Sequence, residues 1–229
     1  MGPRDRRARE RAEMRESILN AARELFAEVG YDGVSMRKIA ERIEYSPTAI
    51  YLHFADKETL FRELCYSDFR LLASEMAEHA RIADPFERLR AIGEAYVRFG
   101  VTHPFHYRLM FMTPPPVNAC SSEEKQKTHG NPELDSYAFL RQCVVQMMEQ
   151  GWIRPELTDP DLVAQTLWAT VHGVVSLEIS VSKDPWIQWR ALSQRMEAAL
   201  MGIGCGLLNP ERLAHLAGPP SFSQAATEE

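Results

Sequence analysis

The chain has 229 residues, of which 45% are hydrophobic and 25% charged, with a formal net charge of −6. This composition excludes a wholly disordered or fibrous chain, and the length allows one large domain or two small ones, burying roughly 70% of the unfolded surface without disulfides or metal. The charge is uneven: residues 1–60 hold 11 Lys and Arg against 11 Asp and Glu, leaving 15 basic and 21 acidic residues for the remainder.

The pattern is helical from the start. Residues 1–11 carry Arg4, Arg6, Arg7, Arg9 and Arg11 against Asp5 and Glu10, a basic tip that reads either as a polyanion contact or as a solvated, frayed terminus. Over 11–29, Met14, Ile18, Leu19, Ala22, Leu25, Phe26 and Val29 recur at steps of three and four, and Gly30 stops the helix. Ser35 caps a short second helix with Ile39, Ala40 and Ile43 inward. Ser46-Pro47 opens a third, serine as cap and proline in the first turn. Asp56 caps a fourth through Leu60, Phe61, Leu64, Phe69, Leu72 and Met76.

Further along, Asp84-Pro85 predicts a helix through Leu89, Ile92 and Tyr96, and His103-Pro104 a short one ending near Met112. Thr113-Pro114-Pro115-Pro116 begins a long loop, mobile at 121–130. Asn131-Pro132 starts a helix that stops at Gly151, Asp159-Pro160 an apolar helix to about Val181, and Asp184-Pro185 a last long helix to about Leu208. The charge-free run Leu162–Leu177 is shorter than the ~20 residues of a membrane span and reads as a helix buried on most sides. The sequence predicts an all-α fold of nine helices, with a disordered tail at 218–229.

Cys65, Cys120, Cys143 and Cys205 are scattered, with no C-x-x-C pair, no zinc spacing and no apolar leader. They read as free thiols in a reducing cytoplasm.

Two short helices joined by a tight connection over 35–54 fit a helix-turn-helix. Ala40 is small where the helices would cross, and Ile39, Ile43 and Ile50 form the seam with Leu25 and Phe54. The outward side of the second helix then carries Thr48, Ala49, Tyr51 and His53, side chains suited to base edges and phosphates. Ser35 and Lys57 sit at helix starts, where a phosphate is favoured.

The ordered run ILNAARELFAEVGYDGVSMRKIAERIEYSPTAIYLHFADKETLFREL resembles the DNA-binding domain of the tetracycline-repressor (TetR) family over residues 11–65. The resemblance implies a recognition helix over Ser46–His53. It places Thr48 and Ala49 nearest the bases, Tyr51 and Lys57 on phosphates, and Ser35, Arg37, Lys38, Ser46, Pro47 and His53 in the same DNA-binding surface. One position departs from the family pattern: its usual turn glycine is Glu44 here, which either strains a left-handed backbone by ~1 kcal/mol or reshapes the turn. The stretch LWATVHGVVSLEI, with Trp168, His172 and Gly173, resembles a TetR C-terminal domain type, and HPFHYRLMFMTPP fits the same type.

That resemblance implies residues 1–60 as arm and DNA-binding domain and 61–217 as a helical effector-binding and dimerising domain. Phe105, Tyr107, Met110, Met147, Trp168 and His172 are the expected lining for an unknown small apolar or amphipathic effector. A two-fold bundle would use Leu177, Trp189, Leu192, Met196 and Leu200. Core packing is the alternative for each of these residues, and His172 reads first as a hydrogen-bonded core histidine. His103 and His106 lack a third metal ligand, and Gly202-x-Gly204-x-Gly206 lacks the strand of a dinucleotide site. The expected protein is a cytoplasmic, nucleoid-associated regulator, most often a repressor, that binds a duplex operator as a homodimer without cofactor, metal or membrane. A helical enzyme, or a protein adaptor that does not bind DNA, is the alternative.

Overall fold

The computed structural model describes residues 2–114 and 129–213, and ten helices are found there. They are α1 (Pro3–Val29), α2 (Met36–Arg42), α3 (Pro47–Tyr51), α4 (Lys57–Ala77), α5 (Pro85–Thr102), α6 (Pro104–Phe111), α7 (Ser136–Glu149), α8 (Pro160–Val181), α9 (Leu192–Leu207) and α10 (Pro210–Leu213). The expected loop over 115–128 and the tail from 218 lie outside the described residues. The chain divides into two compact units: residues up to Leu71 with the segment from Phe105, and Leu72–Pro104 with the segment from His129.

Most helix starts are the capped ones the sequence announces. Ser35 Oγ accepts from the Lys38 backbone N–H at 3.2 Å and Ser46 Oγ from that of Ala49 at 3.3 Å. Asp84 and Asp159 each accept from two backbone N–H groups. Three boundaries differ from expectation. α1 begins at Pro3, so the basic tip is helical. α7 begins at Ser136, not Pro132, because Asn131 holds only the Glu133 N–H while Asp135 accepts from Tyr137 and Ala138. α9 begins at Leu192, because Asp184 accepts from the Trp186 N–H and closes a turn there.

The first unit packs around Ile18, Ala22 and Phe26 of α1, Ile39 and Ala40 of α2, Ile50 of α3, and Leu60, Phe61 and Leu64 of α4. Leu109 of α6 joins the same core. Gly33 is obligatory in the α1–α2 corner, since a Cβ there would lie 2.5 Å from the Val29 carbonyl oxygen. A buried ion pair braces this unit: the Arg23 guanidinium (α1) donates to both Asp68 carboxylate oxygens (α4) at 2.9–3.1 Å, and its remaining arm reaches Asn20 Oδ1 at 2.6 Å.

In the second unit α5, α7 and α8 pack on one another and α9 lies on α8. Val144, Met147, Ile153, Val163, Ala164 and Leu207 form a buried cluster. The end of α9 is tied down by an isolated antiparallel bridge between Ile153 and Leu208. α8 is longer than the apolar run that announced it. At 22 residues it has the length and composition of a membrane span, and most of it is unburied within the chain.

Candidate nucleic-acid interface

Ile50 anchors α3 in the core, fully buried, and so turns the rest of this five-residue helix outward. Burying such a side chain contributes about 1.5–3 kcal/mol. Ser46, Pro47 and Thr48 are exposed, Ala49 is half-buried and Tyr51 is 54% exposed. His53 lies past the end of α3, in the following turn, half-buried. Burial, with Arg11 and Arg15 nearby, holds its imidazole below the usual histidine range. Two exposed residues on this stretch, Tyr45 and Leu52, were not singled out from sequence. Large apolar bodies at non-core positions, Tyr45 just before the serine cap and Leu52 just after the helix, were the signal available for them.

The turn between α2 and α3 keeps the left-handed backbone that glycine would favour. Glu44 has φ of 60°, the only positive φ outside glycine among the described residues. The Tyr45 N–H donates to the Ala40 carbonyl at 2.9 Å and the Glu44 N–H to Glu41 at 3.3 Å, which is the Schellman closure of α2. The turn is strained, not reshaped.

Around α3 the cations differ in availability. Arg37 is exposed and pairs with Glu41 at 2.8 Å, which raises its pKa. Lys38 Nζ donates to the Gly33 carbonyl at 2.7 Å. Lys57 turns inward: its ammonium donates to the Tyr31 and Val34 carbonyls at 3.0 and 3.1 Å and lies 4.0 Å from the Tyr31 ring centre. Two of its three protons are thus committed to backbone, so its part in holding the head together is as visible as any phosphate contact.

The six expected effector residues do not gather in one unit. Phe105, Tyr107 and Met110 belong to the first, whereas Met147, Trp168 and His172 belong to the second. Tyr107 and Met147 are fully buried core residues. Within the second unit, Trp168 Nε1 donates to the Tyr96 hydroxyl at 3.0 Å, and that hydroxyl lies 3.0 Å from His172 Nδ1. Burial lowers the His172 pKa. Beside them the Tyr137 hydroxyl donates to Asp161 at 2.8 Å, and Arg141 pairs with the same carboxylate at 3.0 Å. These bonds hold Asp161 below the usual carboxylate range. Tyr96 and Tyr137, which join this polar ladder on α5, α7 and α8, were missing from the expected lining. The partners lie 72 to 76 residues apart, beyond any periodicity.

The expected interface residues need correction too. Met196 is fully buried within its own chain, and Trp189, Leu192 and Leu200 are half-buried. Only Leu177, at 47%, is exposed. Of the stripe read from sequence, Met196 faces the core of its own chain. The outward side of α9 is Ala198, Met201, Gly202, Cys205 and Gly206, at steps of three and four. On α8 the exposed Leu162, Ala169 and Leu177 share a face with Gly173. A Cβ on Gly173, Gly202 or Gly206 would meet open space within the chain, so Gly173 serves no close helix approach there. Among the described residues no group of three or more His, Cys, Asp or Glu is placed to hold a metal ion. His103 and His106 fall in different units.

Residues 18–64 match the family model for the N-terminal domain of bacterial regulatory proteins of the TetR family, and residues 89–196 match a tetracycline repressor-like C-terminal domain. The chain belongs to the TetR family. It is therefore a DNA-binding transcriptional regulator and not an enzyme. A transcriptional repressor from Corynebacterium diphtheriae, AcnR, is 41% identical over 68 residues, which span 30% of this chain and 36% of that protein. The AcnR repressor of Corynebacterium jeikeium is 28% identical over 167 residues, 72% of this chain and 80% of that one. Among solved structures, the ketosteroid transcriptional regulator KstR2 of Mycobacterium tuberculosis superposes with a TM-score of 0.61 at 23% identity, covering 86% of this chain and 95% of that chain. This last likeness shows a TetR fold.

Proposed function

We propose that this TetR regulator is a homodimeric repressor that binds a near-palindromic operator and is released by a small apolar or amphipathic effector. The observation that carries the reading is α3: a serine-capped, proline-started helix anchored by buried Ile50 and offering Thr48 and Tyr51 to the outside. Residues 1–60 act as arm and reading head and 61–217 as the sensing and dimerising part, with two heads engaging successive major grooves ~34–36 Å apart. Thr48 and Ala49 lie nearest the bases. Ser35, Arg37, Lys38, Ser46, Tyr51 and His53 line the phosphates, with Lys57 behind them. The second copy covers the charge-free outward faces of α8 and α9, which is a more economical use of that apolar surface than a lipid bilayer. The effector enters the second unit beside Tyr96, Trp168 and His172, whose rings and hydrogen-bonding ends suit an amphipathic molecule. A ligand ~100-fold better for the released state supplies ~2.7 kcal/mol of coupling, passed along α4, which runs from one unit into the other. Such a protein works in the cytoplasm, on the nucleoid.

The test uses duplexes selected by the full-length protein from a random-sequence pool. Thr48→Ala and Tyr51→Ala should each weaken binding at least ten-fold while the molecular mass by light scattering stays unchanged. Wild-type affinity in both variants would sink the assignment of α3. Gly202→Phe should give a folded monomer, because the added side chain has room in its own chain but none against a partner. A dimer of unchanged stability would refute the interface.

A further inference from the structure

α1 overruns the core it belongs to. From Ile18 onward its inward face is Ile18, Ala22 and Leu25, all buried. Continued toward the start of the helix at the same three- and four-residue steps, that face becomes Arg15, Arg11, Arg7 and Arg4. One helix face therefore changes from apolar to wholly cationic where the core ends. Arg4, Arg7 and Arg11 are exposed and take part in no hydrogen bond or ion pair among the described residues. Arg15, at the seam, pairs with Glu63 and lies 4.9 Å from the Phe54 ring centre.

The other two arginines of the segment behave differently. Arg6 pairs with Glu10 at 3.5 Å and Arg9 with Glu13 at 3.6 Å. Asp5 closes the helix start on Gly2 at 2.9 Å. Asp5, Glu10 and Glu13 are thus engaged by Gly2, Arg6 and Arg9, and none of them pairs with Arg4, Arg7 or Arg11 among the described residues. The cationic face also has a direction. Arg15 lies against the ring of Phe54, the residue directly after His53 at the end of the α3 stretch. The line therefore starts beside the reading segment and leads away from it.

We propose that Arg4, Arg7 and Arg11 form a second DNA-contacting surface that tracks the sugar–phosphate backbone flanking the bases met by α3. The inference rests on the duplex-binding role proposed above and adds a footprint outside the groove. Seven residues of helix advance about 10 Å, equal to the axial rise of about three base pairs at 3.4 Å each. A preformed helix presents its guanidinium groups in fixed register, so little chain entropy is lost on contact. Sequence outside the half-site is then not read, but its presence as duplex matters.

The experiment compares two full-length variants of equal charge change, R7Q/R11Q and R6Q/R9Q, on one selected duplex between 50 and 200 mM salt. Two lost phosphate contacts lower the salt slope by about 1.8 per bound chain. The loss of affinity relative to wild type should therefore shrink about 12-fold across that range for R7Q/R11Q. R6Q/R9Q should stay close to wild type. Trimming the flanking base pairs should weaken wild type and leave R7Q/R11Q indifferent. Far-UV circular dichroism confirms that α1 persists in both variants. Equal slopes for R7Q/R11Q and wild type, or equal loss in the two variants, overturns the inference while site selection by α3 stands. A wild-type protein that selects no sequence yet shows the R7Q/R11Q effect on random duplex sinks the reading role of α3 and keeps this surface. Failure to bind any duplex sinks both.

Discussion

Replacing Glu44 by glycine separates backbone strain from charge at the turn between α2 and α3. Glu44 sits at φ of 60°, where an L-residue bears about 1–2 kcal/mol relative to a right-handed conformation. Glycine removes that strain but returns about 0.4–1 kcal/mol through a freer unfolded chain. The net gain is about 0.5–1 kcal/mol, or about 1–4 °C in Tm for a chain of this length. Glu44 is exposed and makes no ion pair among the described residues, so losing the carboxylate itself removes no contact. Glu44→Ala keeps the strain and drops the charge. It should leave Tm within about 1 °C of wild type while tightening duplex binding about two-fold, the effect of removing a carboxylate about 10 Å from a phosphate in water. Glu44→Gly should match that two-fold gain and add the thermal shift. Calorimetry and fluorescence anisotropy on the three proteins decide the matter. If the alanine variant is stabilised as much as the glycine variant, the strain argument is wrong.

The buried Arg23–Asp68 pair gives a larger effect. Burial pushes the Asp68 carboxyl up and Arg23 only partly offsets this, so Arg23→Ala should lose about 3–5 kcal/mol in urea denaturation, and a loss under 1 kcal/mol would refute the bracing role. The His172 pKa is lowered in the folded state, so the unfolded chain binds the proton more readily and stability falls as pH drops below about 6.5. His172→Gln should flatten that fall in Tm between pH 7 and 5, and an unchanged pH profile would show that His172 is not its source. Cys143 is buried with its thiol pushed up and should resist maleimide labelling in the native protein. Cys205 is exposed on its own chain and, with the proposed dimer covering its face, should label faster on dilution. A concentration-independent rate for Cys205 would count against its face as an interface.

The sequence made the reading head legible because each of its signals is local. Ser35 and Ser46 cap the helices they precede, and Ile39, Ala40 and Ile50 face inward at the helical period. The same logic failed at Asn131-Pro132 and Asp184-Pro185. A short polar residue before proline satisfies either a helix start or a closed turn, and the local bonds are nearly the same in both. On α9 the bulkier Met196 and Leu200 draw attention in the sequence, whereas the side exposed within the chain is made of Ala, Gly, Met and Cys. The Tyr96–Trp168–His172 ladder was out of reach because helix packing, and no spacing along the chain, brings it together. The helical arm was read as a charge count, and only the helix reveals which arginines share a face.

The inward turn of Lys57 has a mechanical consequence. Its ammonium stitches the opening of α4 to two carbonyls at the α1–α2 corner, and Phe26, Tyr31 and Phe61 interlock around the same point. Any pull that shifts the start of α4 must either drag that corner along or leave two oxygens and a cation unmatched. The α1–α2 corner and the start of α4 are therefore coupled as one block, and a displacement of either is carried to the other without a change in the internal packing.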